Sequence, residues 1–343
     1  MYKVTYKVQS KNLDKAAEAI AIGQSIGNPS IRSSLEITNS INESKAVILE
    51  VNKDGTIIIG YKWRNLNRHT DIAQILCTIQ GGQSDIDVLD SCRVIDIDFG
   101  NINFIYNKKW KHPTYRPLVG GIIKPKTGLS IEQLLDITKQ MCDGGIDWIK
   151  EDEILSDASY LPLTDRVEHI TKLLEQYPNV MYCFCVNGSP KHYLRQLHFI
   201  KDTGAGVHTN FWSGLNVYED ANNLNVFSHF QRSGIRILTD PRNPWAITWP
   251  IIIKLAIIQG IDSIHIGMIG GYYPDGYDEV YKGLSLCQQH NRIGTLSCGM
   301  NPDIARKLKQ ELGNNFMANV GGWLHVGSSI ENNVKEMMKA VNS

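Results

Sequence analysis

Neither sign of charge is in excess, since 35 lysines and arginines meet 35 aspartates and glutamates. That balance leaves no electrostatic footprint for a nucleic-acid partner or a membrane surface. Long apolar runs are also missing. The longest stretch, near Trp249–Ile258, is interrupted by Lys254 and falls far short of the roughly 20 residues that span a bilayer. Cysteine is sparse, and its seven copies form an odd count without small-domain spacing. This suits reduced thiols in a cytosol rather than a disulfide framework. The opening Met-Tyr-Lys-Val-Thr-Tyr reads as a strand rather than a signal peptide, so a cytoplasmic, soluble enzyme is expected. What is present is 343 residues with 42% hydrophobic content, enough for a large core and two domains.

Residues 1 to 112 read as a small α+β domain. Tyr2–Gln9 alternates as a strand, and Asn12 is a cap candidate for a helix running to about Gln24. Ala46–Asn52 and Thr56–Trp63 are β-rich and joined by the turn Lys53-Asp54-Gly55. A helix from about Thr70 to Ile79 and a strand at Cys92–Phe99 complete a βαββαβ order, that of a ferredoxin-like sandwich. Residues 113 to 343 alternate strand and helix. Strands are expected at Leu118–Lys124, Asp147–Glu153, Val180–Val186, Gly206–Trp212, Ile235–Asp240, Ser263–Met268, Gly294–Gly299 and Phe316–Val320. Helices such as Ile131–Met141, Asp165–Gln176 and Pro302–Leu312 follow them. Eight βα units over that length imply an α/β fold of the (β/α)8 TIM-barrel type. A doubly wound sheet is the runner-up, although no Gly-x-Gly-x-x-Gly opens the first unit.

In such a barrel the chemistry lies at the C-terminal ends of the strands. The second unit ends Gly144-Gly145-Ile146-Asp147-Trp148-Ile149-Lys150-Glu151-Asp152-Glu153. Alternation puts Lys150 and Asp152 on one face, with Glu153 at the exit. A lysine and two carboxylates converging at a buried strand end are costly unless something binds there. The carboxylates suit Mg²⁺, and Lys150 becomes a third oxygen ligand if CO₂ carbamylates its amine. Taken alone, the segment also reads as a strand end with a solvated charge cluster. The first unit ends Lys124-Pro125-Lys126, which suits proton transfer in a partly desolvated site and equally an exposed turn. The fifth supplies Arg242, able to grip a phosphate or carboxylate, and the sixth supplies His265. Ser297-Cys298-Gly299 and Gly321-Gly322 follow strands seven and eight, where this fold builds phosphate nests. Cys183 and Cys185 read as core packing, with a soft-metal or redox role the alternative.

Gly120–Ser130 (GGIIKPKTGLS) and Gly144–Leu155 (GGIDWIKEDEIL) resemble the large-subunit family of ribulose bisphosphate carboxylase. The likeness extends to the Ala16–Gln24 helix and to Gly100-Asn101. It implies a ferredoxin-like domain before a TIM barrel, working as an antiparallel homodimer with sites at the subunit interface. It implies a carbamylated Lys150 holding Mg²⁺ with Asp152 and Glu153. Lys124 would handle protons beside Lys126, Arg242, His265 and Ser297 would hold one substrate phosphate, and Asn101 would reach the partner's site. Gly299, Gly321 and Gly322 would bind substrate.

The departures are as informative. Carboxylases of that family carry a glutamate where this chain has Ile22-Gly23-Gln24, a histidine where it has Pro241, and a loop lysine where it has Gly270-Gly271-Tyr272-Tyr273. The second phosphate nest is altered at Asn319-Val320. The chain therefore resembles the non-carboxylating, RuBisCO-like members. KEDEIL is similar to the diketo-methylthiopentyl-phosphate enolases of methionine salvage. Arg242-Asn243-Pro244-Trp245 is similar to a branch of methylthioribulose-phosphate isomerases and oxo-isoapionate-phosphate decarboxylases. The expectation is Mg²⁺-dependent enolisation or isomerisation of a small keto monophosphate. The alternatives are a decarboxylase of an oxo sugar acid phosphate, a site repurposed for a non-phosphorylated or secondary-metabolic substrate with another metal, and a non-catalytic binding protein.

Overall fold

Alternation drives the first strand, β1 (Tyr2–Gln9), in which Tyr2, Val4, Tyr6 and Val8 are buried and Lys3 and Gln9 face out. The computed structural model describes residues 1–27, 39–67, 71–100, 109–269 and 275–343. They form two compact units, Met1–Phe104 with Ile235–Leu255, and Ile105–Gly234 with Ala256–Ser343.

In the first unit, α1 (Leu13–Gly23) starts where Asn12 accepts the Lys15 N–H at 3.0 Å, as its cap position demands. A short α2 (Asn39–Ser44) precedes the hairpin of β2 (Val47–Val51) and β3 (Thr56–Tyr61), and α3 (Ile72–Gln80) precedes β4 (Ser91–Asp98). The sheet order is β2-β3-β1-β4, antiparallel throughout, which is the ferredoxin-like arrangement expected. The hairpin turn depends on Gly55, whose φ is +85° and where a Cβ would lie 2.3 Å from the Val8 carbonyl oxygen. Gly55→Ala is therefore expected to destabilise this unit by about 2 kcal/mol or more, read as a lower urea midpoint.

The second unit is a closed barrel of eight parallel strands. In chain order these elements are β5 (Leu118–Ile122), α4 (Ile131–Asp143), β6 (Trp148–Lys150), α5 (Leu163–Leu174), β7 (Met181–Cys185), α6 (Pro190–Ile200) and β8 (Gly206–Asn210). The chain continues through α7 (Val217–Asn223) and β9 (Phe227–Gln231), then passes through α8 (Arg236–Thr239) and α9 (Trp249–Ile258), which lie wholly or mostly in the first unit. It returns for β10 (Ser263–Met268), α10 (Tyr277–Gln289), β11 (Ile293–Ser297), α11 (Pro302–Leu312), β12 (Met317–Val320) and α12 (Ile330–Asn342). The barrel closes where β12 pairs with β5, Met317 opposite Leu118 and Asn319 opposite Gly120. Over that seam α12 packs on α4 so closely that a Cβ at Gly144 would meet Val334 at 2.5 Å. No helix among the described residues is long and apolar enough to cross a membrane.

Seven of the expected barrel strands are present, Ser263–Met268 with the expected ends and six with shifted ends, and the fifth is corrected. Ile235–Asp240 contains the helical turn α8, closed by Thr239 N–H to Ile235 O at 3.2 Å and Asp240 N–H to Arg236 O at 2.8 Å. The fifth strand is Phe227–Gln231, whose polar His229 and Gln231 hide its strand character in the sequence. One layer of the barrel core is apolar, built from Leu118, Trp148, Met181, Cys183, Phe227, Ile293 and Met317.

Candidate active site at the barrel mouth

Two residues beyond the Trp148 indole, Lys150 closes β6 with its side chain fully buried. Its ammonium donates to the Glu151 carbonyl at 3.1 Å and lies 3.6 Å from Glu153 Oε2. Glu151 itself turns away. It is fully buried behind the strand, where Arg166 Nε (2.9 Å), the Cys185 N–H (2.7 Å) and the Tyr182 hydroxyl (3.2 Å) reach its carboxylate. The segment leaving β6 thus separates a structural carboxylate, Glu151, from the two that face the mouth.

Asp152 is buried and its Oδ2 accepts from Lys124, while Lys126 stands 3.9 Å from Oδ1 and 4.0 Å from Glu153 Oε1. Asp152 Oδ1 has no hydrogen-bond partner. Glu153 is held more completely. Ser233 donates to Oε1 at 3.0 Å, Gln231 Nε2 donates to Oε2 at 3.1 Å, and Asn187 Nδ2 donates to the main-chain carbonyl at 2.8 Å. The Gln231 amide has only one workable orientation, because its Oε1 accepts the Arg232 N–H at 3.1 Å. Burial raises the Glu153 pKa, yet the Lys150 charge and the donors around it outweigh that and hold it at about 2.

His265 Nε2 pairs with Ser297 Oγ at 2.5 Å, and its Nδ1 is buried without a partner. Burial first, then the charge of Arg232, lowers its pKa to about 3, so the ring is neutral. A second buried polar layer crosses the barrel beneath it. There His229 Nδ1 meets Ser263 Oγ at 2.9 Å, which meets Thr295 Oγ1 at 2.8 Å. Both ring nitrogens of His208 and the side-chain amide of Asn319 are buried there without hydrogen-bond partners.

Lys124, Lys126, Lys150, Asp152 and Glu153 are therefore brought together, and His265 with Ser297 forms a second group on β10 and β11. Gly299, at φ +75°, follows Ser297 after the left-handed Cys298. Gly321 lies beside Lys124, a Cβ there standing 3.9 Å from Lys124 Cε, and Gly322 follows it. Arg242 does not join them. With the fifth strand corrected, it falls in the first unit, largely exposed, its guanidinium forked on Asp240 at 2.9 and 2.7 Å. The residues at the true end of the fifth strand are Gln231, Arg232 and Ser233, so glutamine, not Pro241, precedes the strand-end arginine. The inward polar residues of Phe227–Arg232, every second position before an arginine, were the available signal. Asn101 and Gly270-Gly271-Tyr272-Tyr273 lie outside the described residues. Cys183 accepts from the Trp148 indole at 3.1 Å and Cys185 from Asn187 at 3.3 Å. Burial pushes both thiols up, Cys185 to about 12, which fits core packing.

Residues 105–322 match the family model of the ribulose bisphosphate carboxylase large chain, catalytic domain. The chain is 27% identical over 226 residues to the ribulose bisphosphate carboxylase of Methanosarcina mazei, covering 58% of this chain and only 52% of that one. It thus spans about half the length of that relative. It is 25% identical over 340 residues to the 2,3-diketo-5-methylthiopentyl-1-phosphate enolase of Microcystis aeruginosa, covering 90% of this chain and 84% of the other. Its fold is similar to that of a rubisco-like protein from Burkholderia fungorum, with a TM-score of 0.81 at 16% identity over 99% of this chain and 93% of that one.

Proposed function

Because the chain belongs to the ribulose bisphosphate carboxylase large-chain family, we propose that it is a RuBisCO-like enzyme that removes a proton beside the carbonyl of a small keto monophosphate. The product is an enol or an isomer, and ribulose bisphosphate is not carboxylated. One observation carries this reading: a fully buried lysine beside two mouth-facing carboxylates, one of which keeps a buried oxygen without a hydrogen bond.

These donors fit a hard divalent cation such as Mg²⁺. Asp152 and Glu153 would supply two oxygens. By resemblance to the family, Lys150 would be the third ligand, its amine adding to CO₂ with loss of one proton to leave a carbamate. A cation held there supplies Lewis-acid stabilisation of the oxyanion that develops on enolisation. The chain's own groups do the rest. Lys124, anchored on Asp152 and partly open to solvent, carries the proton at the substrate carbon. Glu153 is held in place by Ser233 and Gln231. His265 and Ser297 offer neutral hydrogen bonds. The Gln231 amide cannot act as a base, which supports a reaction other than carboxylation.

The test is proton NMR in D₂O on a panel of keto-sugar and methylthio-keto monophosphates with protein, Mg²⁺ and bicarbonate. Deuterium entering next to the carbonyl, and failing to enter without Mg²⁺, supports the reading; no exchange across the panel overturns it. Gln231→Leu is expected to weaken binding of the cation by about 10- to 100-fold, since it removes a donor that orients Glu153. Titration calorimetry with Mg²⁺ measures this without turnover.

A further inference from the structure

At the ends of β9 and β10 the fold builds a seat for an anion. Arg232 follows β9 with its guanidinium almost wholly buried, and the Met268 N–H closes β10 beside it. A planar guanidinium fork and a backbone N–H converging at the C-terminal face of a barrel are suited to a phosphate or carboxylate. The chain fills this seat itself. Asp275 takes both arms of the fork, Oδ1 accepting from Nη2 at 2.8 Å and Oδ2 from Nη1. The same Oδ2 accepts the Met268 N–H at 2.7 Å, and the Asp275 N–H returns to the Met268 carbonyl at 2.8 Å. Gly267 leaves room for the carboxylate, since a Cβ there would stand 3.2 Å from Asp275 Oδ2.

We propose that Asp275 is a built-in anion that closes this seat to phosphate, so the substrate end lodged beside His265 and Ser297 is uncharged. A substrate with one phosphate carries it at the other end of the mouth, and a bisphosphate is excluded. Among the described residues of the corner the charges of Arg232 and Asp275 cancel, and His265 and Ser297 are neutral. A second anion entering it would have to displace a carboxylate held by three hydrogen bonds, all of them charge-assisted. Hydroxyl groups match what remains. This specificity rests on reading Lys150, Asp152 and Glu153 as the reacting end.

Titration with inorganic phosphate, followed by calorimetry, tests the proposal without substrate. D275N is expected to bind phosphate at least about tenfold more tightly than the unmodified protein, or to gain one site. The gain is expected to vanish in the D275N/R232Q double variant. R232Q alone, which serves if D275N fails to fold, is expected to leave phosphate binding of the otherwise unmodified chain unchanged. No gain in D275N, a gain that survives R232Q, or loss of binding in R232Q alone overturns the closed seat. Exchange in D₂O is a separate measurement, so a phosphate gain without any exchange removes the enolase reading alone. Exchange without a phosphate gain removes only the built-in anion.

Discussion

Lys150→Ala and Asp152→Ala are each expected to lower deuterium exchange on the active keto phosphate by roughly 10³-fold or more. Lys150 is fully buried, and Glu153 lies 3.6 Å away. Removing it takes away the amine that captures CO₂ and the charge that keeps Glu153 at about 2. Lys150→Arg separates the two losses. Arginine keeps the positive charge and has no amine to add to CO₂, so it should fail as completely as alanine. With ¹³C-bicarbonate, a carbamate resonance present in the unmodified protein should be missing from both Lys150 variants. Exchange retained in Lys150→Ala or Asp152→Ala would sink the metal-site assignment.

Acid should unfold the barrel unit well above the pH at which carboxylates titrate. His208, His229 and His265 are fully buried on neighbouring strands, and burial is the first cause that lowers all three pKa values, His265 to about 3. Lys150's charge lowers each of them further. An unfolded chain protonates each near its ordinary 6.5, so below that pH the unfolded state binds more protons and stability falls as pH falls. The stabilisation is complete above about 6.5 and drains away down to the folded pKa. Each histidine costs about 1.4 kcal/mol per pH unit in that window, so three cost about 4 kcal/mol per unit. That is enough to unfold a domain of ordinary stability by about pH 5. Glu151 and Asp262, pushed up by burial, act in the opposite sense. Thermal midpoints measured from pH 7.5 down to 5 check this, and a flat profile to pH 5.5 contradicts it.

The barrel was legible in the sequence because seven of its strands are apolar or end in a sharp polar signature. Lys150-Glu151-Asp152-Glu153 even revealed its sidedness, since period-two alternation turns Glu151 to Arg166 and leaves Lys150 and Asp152 together, with Glu153 at the exit. The fifth strand failed for the opposite reason. His229 and Gln231 point into a polar interior, so Phe-Ser-His-Phe-Gln lacks the apolar pattern that Ile235-Arg236-Ile237-Leu238 mimics one turn later. That slip carried Arg242 into the site and left Gln231, Arg232 and Ser233 out of it. Asp275 was invisible for another reason. Its role depends on a pairing with Arg232 across 43 positions, and no local spacing encodes it.

The β12–β5 seam also orders events in time. During synthesis β5 emerges early and keeps one edge unpaired until Met317–Val320 exist to cover it. At about 5–20 residues per second, that edge waits roughly ten seconds or more on the ribosome. An unsatisfied strand edge is a template for mispairing with other nascent chains. Lys150 lies one strand in from that edge. A chain halted before β12 would therefore carry Lys150, Asp152 and Glu153 on a sheet still open at one edge, and yield would be limited by how fast the last turn of the barrel docks.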